Sequence, residues 1–154
     1  NTIYILLFMI FMHIIDDFRL QGIMASMKQR SWWENQEGYN DKYRFDYIPA
    51  LLCHAFSWSM MIHLPILVYF HFDMGDRWDL FIIVIIVQFL WHAFIDNMKA
   101  NWKMTNLVAD QSLHMLQIIN PGSSSFFLSH SNSILGFIYK DKITHMDFYI
   151  HMGD

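Results

Sequence analysis

The sequence predicts an all-α fold, an integral membrane bundle of about four helices, and three observations predict it. Residues 48–72 form 25 consecutive positions without Asp, Glu, Lys or Arg, more than the roughly 20 needed to cross a bilayer. Residues 80–95 are again free of charge, interrupted only by Gln88 and His92. Hydrophobic residues make up 55% of the chain and charged residues 16%, against roughly 25% charged in a typical soluble domain.

Taken in order, the first element is the apolar run 3–15, which extends into Asp16 and Asp17, giving a helix over about 2–18. It lacks a basic flank and a clean small-x-small cleavage site, so a cleaved signal is not expected. The second helix spans about 48–72, with Pro49 suited to its first turn and Pro65 expected to kink it. The third spans about 79–98. The fourth, 107–119, is shorter and carries Asp110, Gln111, Ser112, His114 and Gln117, so it suits a bundle interior or partial entry better than lipid contact. Three helices are therefore expected to span and the fourth to do so only in part. The Asn-Pro-Gly-Ser-Ser-Ser run at 120–125 is a breaker signal. It separates a helical membrane domain, 1–119, from a poorly specified tail, 120–154, with one amphipathic or β-like segment near 134–139.

Composition excludes some functions. A net charge of −4 leaves no basic footprint, so no nucleic-acid partner is expected. Cys53 is the lone cysteine, which rules out an intramolecular disulfide or a thiolate zinc cluster; it reads as a small buried apolar residue. The six tryptophans (Trp32, Trp33, Trp58, Trp78, Trp91 and Trp102) fall mostly near predicted helix ends, as an aromatic belt would. Arg19, Lys28, Arg30, Lys42 and Arg44 lie between the first two long helices, and Lys99 and Lys103 between the last two. The positive-inside rule makes that side cytoplasmic in a multi-pass membrane protein.

Chemistry is signalled by three pairs with four-residue spacing: His13/Asp17, His92/Asp96 and Asp110/His114. On a helix that step places both side chains on one face. His13 and Asp17 lie at the exit of the first helix, His54 early in the second, His92 and Asp96 at the exit of the third, and Asp110 and His114 at the entry of the fourth. In an up-down bundle all seven meet at one level, beside the basic loops. Bundles build metal sites in this way. The mixed N/O set of His13, Asp17, His54, His92, Asp96, Asp110 and His114 suits one or two divalent ions, Zn, Mn or Fe. Asp17, Asp96 or Asp110 is the expected general base, and Lys28 and Lys99 are the expected substrate-binding cations. Asp16 reads as a neighbour, His63 and His71 as solitary helix histidines, and His130, His145 and His151 as surface groups.

The run from His13 to Gln21 (His-Ile-Ile-Asp-Asp-Phe-Arg-Leu-Gln), with Ala25 and Lys28, resembles the N-terminal signature of the "domain of unknown function 3307" family of small bacterial and phage membrane proteins. Further matches are His54-Ala55, His92-Ala-Phe-Ile-Asp96 with Lys99-Ala100, and Asp110-Gln111-Ser-Leu-His114. The resemblance covers about residues 5–119 and implies a multi-helix membrane protein and the same seven residues; it implies no activity. The chain departs from the pattern after Gln117, where family members continue in a fuller apolar helix. Three functions fit these residues: a metal-dependent hydrolase of a phosphorylated or lipid-linked substrate, a non-catalytic membrane interaction or structural protein, and a proton or cation pathway. The lipid bilayer is the expected partner, with a homo-oligomer or another membrane protein as further candidates.

Overall fold

The computed structural model describes residues 2–72 and 77–119. Among them every regular element is helical: α1 (Thr2–Ile15), a π-helical turn (Asp16–Leu20), α2 (Met24–Met27), α3 (Arg30–Glu34), a 3-10 turn (Asp41–Tyr43), α4 (Tyr47–Tyr69), α5 (Trp78–Ala100) and α6 (Leu107–Ile119). The four longer helices follow from apolar runs of helical length. The segment between the first two runs, expected as a loop, instead folds into α2 and α3. Trp33 fixes this corner by donating its indole N–H to the Met27 carbonyl at 2.7 Å.

α1 packs against α4 and α6, and α5 packs against the same two helices, so the four enclose one core. α5 and α6 are clamped by a reciprocal pair. Gln88 Nε2 donates to the Gln117 carbonyl at 3.4 Å, and Gln117 Nε2 donates to the Gln88 carbonyl at 2.8 Å. These bonds remove buried amides from an otherwise unfavourable environment.

Several boundaries differ from expectation for local reasons. α1 stops at Ile15 and passes into the π-helical turn, a widening that often marks functional sites. α4 ends at Tyr69 rather than residue 72, because His71 and Phe72 adopt positive φ of 53° and 59° and reverse the chain. Pro65 lies inside α4 and is buried there. The tail from residue 120, with the 134–139 segment and His130, His145 and His151, lies outside the described residues.

Two helices, α4 and α5, are long and apolar enough to cross a membrane, where three were expected. At 23 residues each they reach about 34 Å, against about 30 Å of hydrocarbon. α1 has 14 residues and α6 has 13. Among the described residues, apolar side chains face outward as well as inward. Only 28% of the most apolar stretch of α5 is buried, and Ile82, Ile83, Ile86, Val87, Leu90 and Phe94 face outward. The core meanwhile holds His13, Asp16, His54, His63, His92, Asp96, Asp110 and His114. Cys53, expected inside, is exposed: it directly precedes the buried His54 on a helix whose two faces differ. Trp58, read with the aromatic belt, is fully buried instead.

Candidate metal centre

The helix ends that meet at one level carry the polar core. The π-helical turn presents two consecutive carboxylates to His54 of α4. Asp17 Oδ1 stands 3.4 Å from His54 Nε2, and Asp16 Oδ2 stands 3.7 Å from His54 Nδ1. Ser57, three residues beyond His54, donates to Asp16 Oδ1 at 2.7 Å and holds it there. Imidazole ligands commonly give their outer N–H to such a carboxylate, which leaves the inner nitrogen free to coordinate.

Around His54 Nε2 the neighbouring helices contribute further donors. His92 Nε2 of α5 lies 3.3 Å away and Asp96 Oδ2 also 3.3 Å away. Asp96 then turns its other oxygen to His114 Nε2 of α6 at 3.2 Å. His114 Nε2 is also 3.6 Å from Asp110 Oδ1. Two groups of ligand atoms arise, Asp17/His54/His92 and His92/Asp96/His114, and in each all atoms lie within 4.8 Å of one another. Two ligands on a tetrahedral ion with bonds of about 2.1 Å are about 3.4 Å apart, and the separations around His54 Nε2 match that spacing. Asp96 thus turns one oxygen toward His54 and the other toward His114.

His13 is held differently. The Trp58 indole, which can only donate, gives its N–H to His13 Nδ1 at 2.7 Å. His13 Nε2 therefore carries the proton and donates to Gln111 Oε1 at 3.1 Å. The Gln111 amide in turn donates to Asp17 Oδ2 at 3.1 Å and Asp110 Oδ2 at 3.2 Å. Both His13 nitrogens are thus engaged, and its 3.8 Å approach to Asp17 is a second-rank contact. Trp58 also stacks on His92, with ring centroids 4.0 Å apart and planes 15° off parallel. One indole therefore orients two of the histidines.

Lys28 and Lys99 reach the carboxylates from the mouth. Lys28 Nζ bonds Asp96 Oδ2 at 2.5 Å and Lys99 Nζ bonds Asp110 Oδ2 at 2.6 Å. Asn101 places Lys28: its Oδ1 accepts from the Arg30 N–H at 2.7 Å and its Nδ2 donates to the Lys28 carbonyl at 3.1 Å. Four carboxylates (Asp16, Asp17, Asp96 and Asp110) face two ammonium groups, leaving two negative charges to be balanced by protons on imidazoles or by a divalent cation. Isolated buried charge is too costly to stand alone.

Titration follows the same field. Burial pushes Asp16 upward against the Ser57 bond and the His54 ring. Burial also pushes on Asp17, but contact with His54, His92 and Gln111 outweighs it and holds its carboxyl well below the usual range. For His114 burial favours the neutral ring, yet Asp110 and Asp96 outweigh it and raise the group to about 9. Asp110 is lowered: His114 and Lys99 overcome its desolvation.

A cleft of about 310 Å³ opens above the centre. Asp17, Asp96, Asp110 and Gln111 form its floor, and Lys28, Lys99 and Lys103 line it. Of the sequence-derived residues, Asp17, His54 and His92 form one group within ligand range and His92, Asp96 and His114 a second; Asp110 abuts His114, and His13 sits behind them. His63 is apart from the centre, bonded through Nδ1 to the Ser59 carbonyl at 2.7 Å. The sequence reading gave no site role to Trp58, Gln111, Ser57 or Asn101, nor to Gln21, whose Nε2 lies 2.9 Å from His54 Nε2 and donates to Asp17 Oδ1 at 3.3 Å. Gln111 adjoins Asp110 and Gln21 lies four residues from Asp17, spacing that offered the one available signal; nothing local marks Trp58 or Asn101. Comparison of the chain with protein-family models, with curated proteins and with solved structures finds no match.

Proposed function

We propose that the chain is a membrane-embedded metal-binding protein, a metal-dependent hydrolase of a phosphorylated or lipid-linked substrate. In this reading α1, α4, α5 and α6 form a four-helix membrane bundle, α4 and α5 cross a bacterial inner membrane, and the basic loops with the site face the cytoplasm. The outward apolar face of α5, set against a core that buries histidines and aspartates, supports the membrane assignment: exposed apolar surface suits lipid and is opposed by water. Membership of the domain-of-unknown-function-3307 family is proposed with it, on the ordered motifs alone.

The observation that carries the metal reading is the convergence of Asp17, His54, His92, Asp96 and His114 at ligand-to-ligand spacing beneath a lysine-lined cleft. One or two ions of Zn, Mn or Fe suit this N/O set. A bound divalent ion lowers the pKa of coordinated water to near 7 and so supplies hydroxide. The protein's own groups do the rest. Trp58 orients His92 by stacking on it, and Asp16 stands beside His54. Asp110, held ionised by His114 and Lys99, fixes both groups at the edge of the cleft. Lys28 and Lys99 offer their remaining N–H donors to an anionic oxygen entering the cleft.

The test is phosphate release from phosphomonoesters by detergent-purified protein reloaded with each metal. Chelator-sensitive activity, lost in His92→Ala and Asp96→Ala together with the metal, is the expected result. A metal-free preparation, with both variants as stable and active as the parent, contradicts it. The Lys28–Asp96 and Lys99–Asp110 pairs favour one second reading, a non-catalytic protein whose polar network holds the helices together. It predicts loss of stability in the same variants and no response to chelator.

A further inference from the structure

A second hollow adjoins the lysine-lined cleft. It is a shallow, open hollow of about 590 Å³ along the outer face of α6, lined by that helix alone and mainly by apolar groups, among them Val108, Met115, Leu116 and Ile119. The two hollows share Leu107 and Gln111, so polar floor and apolar groove are continuous. The Gln88–Gln117 clamp shows that α6 runs back along α5 from the level of the site. From residue 107 to 119 the groove extends about 18 Å, close to one leaflet, half of the roughly 30 Å hydrocarbon thickness.

From this continuity we infer that the site takes a phosphate-headed membrane lipid, with its head among Lys28, Lys99 and Lys103 and one acyl chain along α6. The charge and the apolar path each point to this occupant. Lys28 and Lys99 are already paired to the floor carboxylates and retain further N–H donors, while Lys103 is exposed on a left-handed turn with φ of 55°. With a divalent ion offsetting the excess negative charge of the floor carboxylates, Lys28, Lys99 and Lys103 match a phosphomonoester of nearly two negative charges. Phe18, exposed and lining the same cleft, leaves an apolar sill at the mouth. A soluble phosphate needs neither the sill nor the groove. The inference rests on the reading of this site as a membrane-level metal centre, and names its substrate class.

The test is lipid retention by the full chain in neutral detergent, read by native mass spectrometry, with metal content measured in parallel. The probes are phosphatidate, diacylglycerol and glycerol 3-phosphate. One phosphatidate is expected per chain, held at least tenfold more tightly than either other probe. Leu116→Asp and the milder Val108→Ser should each weaken it several-fold with metal content unchanged. Ile86→Ser, on the outward face of α5, should leave it unaltered. Equal retention of glycerol 3-phosphate overturns the inference, as does equal loss in the Ile86 variant. So does a change of oligomeric state in the α6 variants at constant lipid retention, which would assign the groove to a second copy. Metal without phosphatidate selectivity removes this inference alone; a chain that takes up no metal removes the metal reading and, with it, the counter-charge this docking needs.

Discussion

Replacing Asp96 with Asn changes little in volume and removes the one carboxylate that faces both His54 and His114. Its Oδ2 lies 3.3 Å from His54 Nε2 and 2.5 Å from Lys28 Nζ, and its Oδ1 lies 3.2 Å from His114 Nε2. Losing one partner of a buried pair costs about 3–5 kcal/mol, because the other charge stays behind. The Lys28 side chain is 12% exposed at the cleft mouth and can turn toward water, which puts the expected cost near the lower bound, about 3 kcal/mol. A metal at one hundred times its dissociation constant adds about 2.7 kcal/mol to the parent. At roughly 2–4 °C per kcal/mol for a chain of this size, chelator should lower the parent melting temperature by about 5–10 °C. Asp96→Asn should melt lower still and be indifferent to chelator. The assay is thermal unfolding of detergent-purified parent and variant, each with added zinc and with chelator. A parent that melts at the same temperature in both conditions, with the variant merely less stable, refutes the metal centre and leaves a structural network.

Other predictions separate the parts of the account. Trp58→Phe keeps the stacking on His92 but strips His13 Nδ1 of its donor; unfolding should cost about 1–3 kcal/mol less, with metal retained. The raised group at His114, about 9 against an ordinary 6.5, stabilises the metal-free form fully below pH 6.5 and loses that contribution as pH climbs through 9. The loss is on the order of 3 kcal/mol. Metal competes for the same nitrogen, so its affinity rises over the same interval, and the gap in melting temperature between zinc-loaded and chelated protein should widen from pH 6.5 to 9. Ile86→Lys places a charge on the outward face of α5: in a spanning helix it should depress insertion by about 2.5–3.5 kcal/mol, read by glycosylation-tag mapping, whereas a water-facing position would accept it freely. Asn101→Ala frees the Lys28–Arg30 turn and should raise KM for an anionic substrate more than it lowers kcat.

The long helices were legible because their apolar runs exceed any loop and carry their own punctuation, as with the 25 uncharged residues that became most of α4. The paired spacing likewise exposed His92/Asp96 and Asp110/His114, since four residues on a helix is a geometric statement. What spacing does not encode is which way a helix end turns. The π-helical turn at Asp16–Leu20 sets two adjacent carboxylates against opposite sides of His54, with Asp16, read as a neighbour, 3.7 Å from its outer nitrogen and bonded to Ser57. Trp58 was misassigned for a related reason. Its type fits a lipid interface, and only the packing of α1 and α5 onto α4 reveals that it faces inward to His13 and His92. Cys53 erred in the opposite sense, because burial statistics drawn from water-soluble proteins reverse where the outer surface is apolar. The lysines were visible as basic loop residues, yet their pairing with Asp96 and Asp110 depends on the corner built by α2, α3 and Asn101.

Elemental analysis of the purified full chain, before and after chelator, bears most directly on the central claim. One or two equivalents of zinc, manganese or iron per chain, removed by chelator and absent from His92→Ala, is the predicted result. A parent chain free of transition metal, unchanged after incubation with each of the three ions, would contradict it.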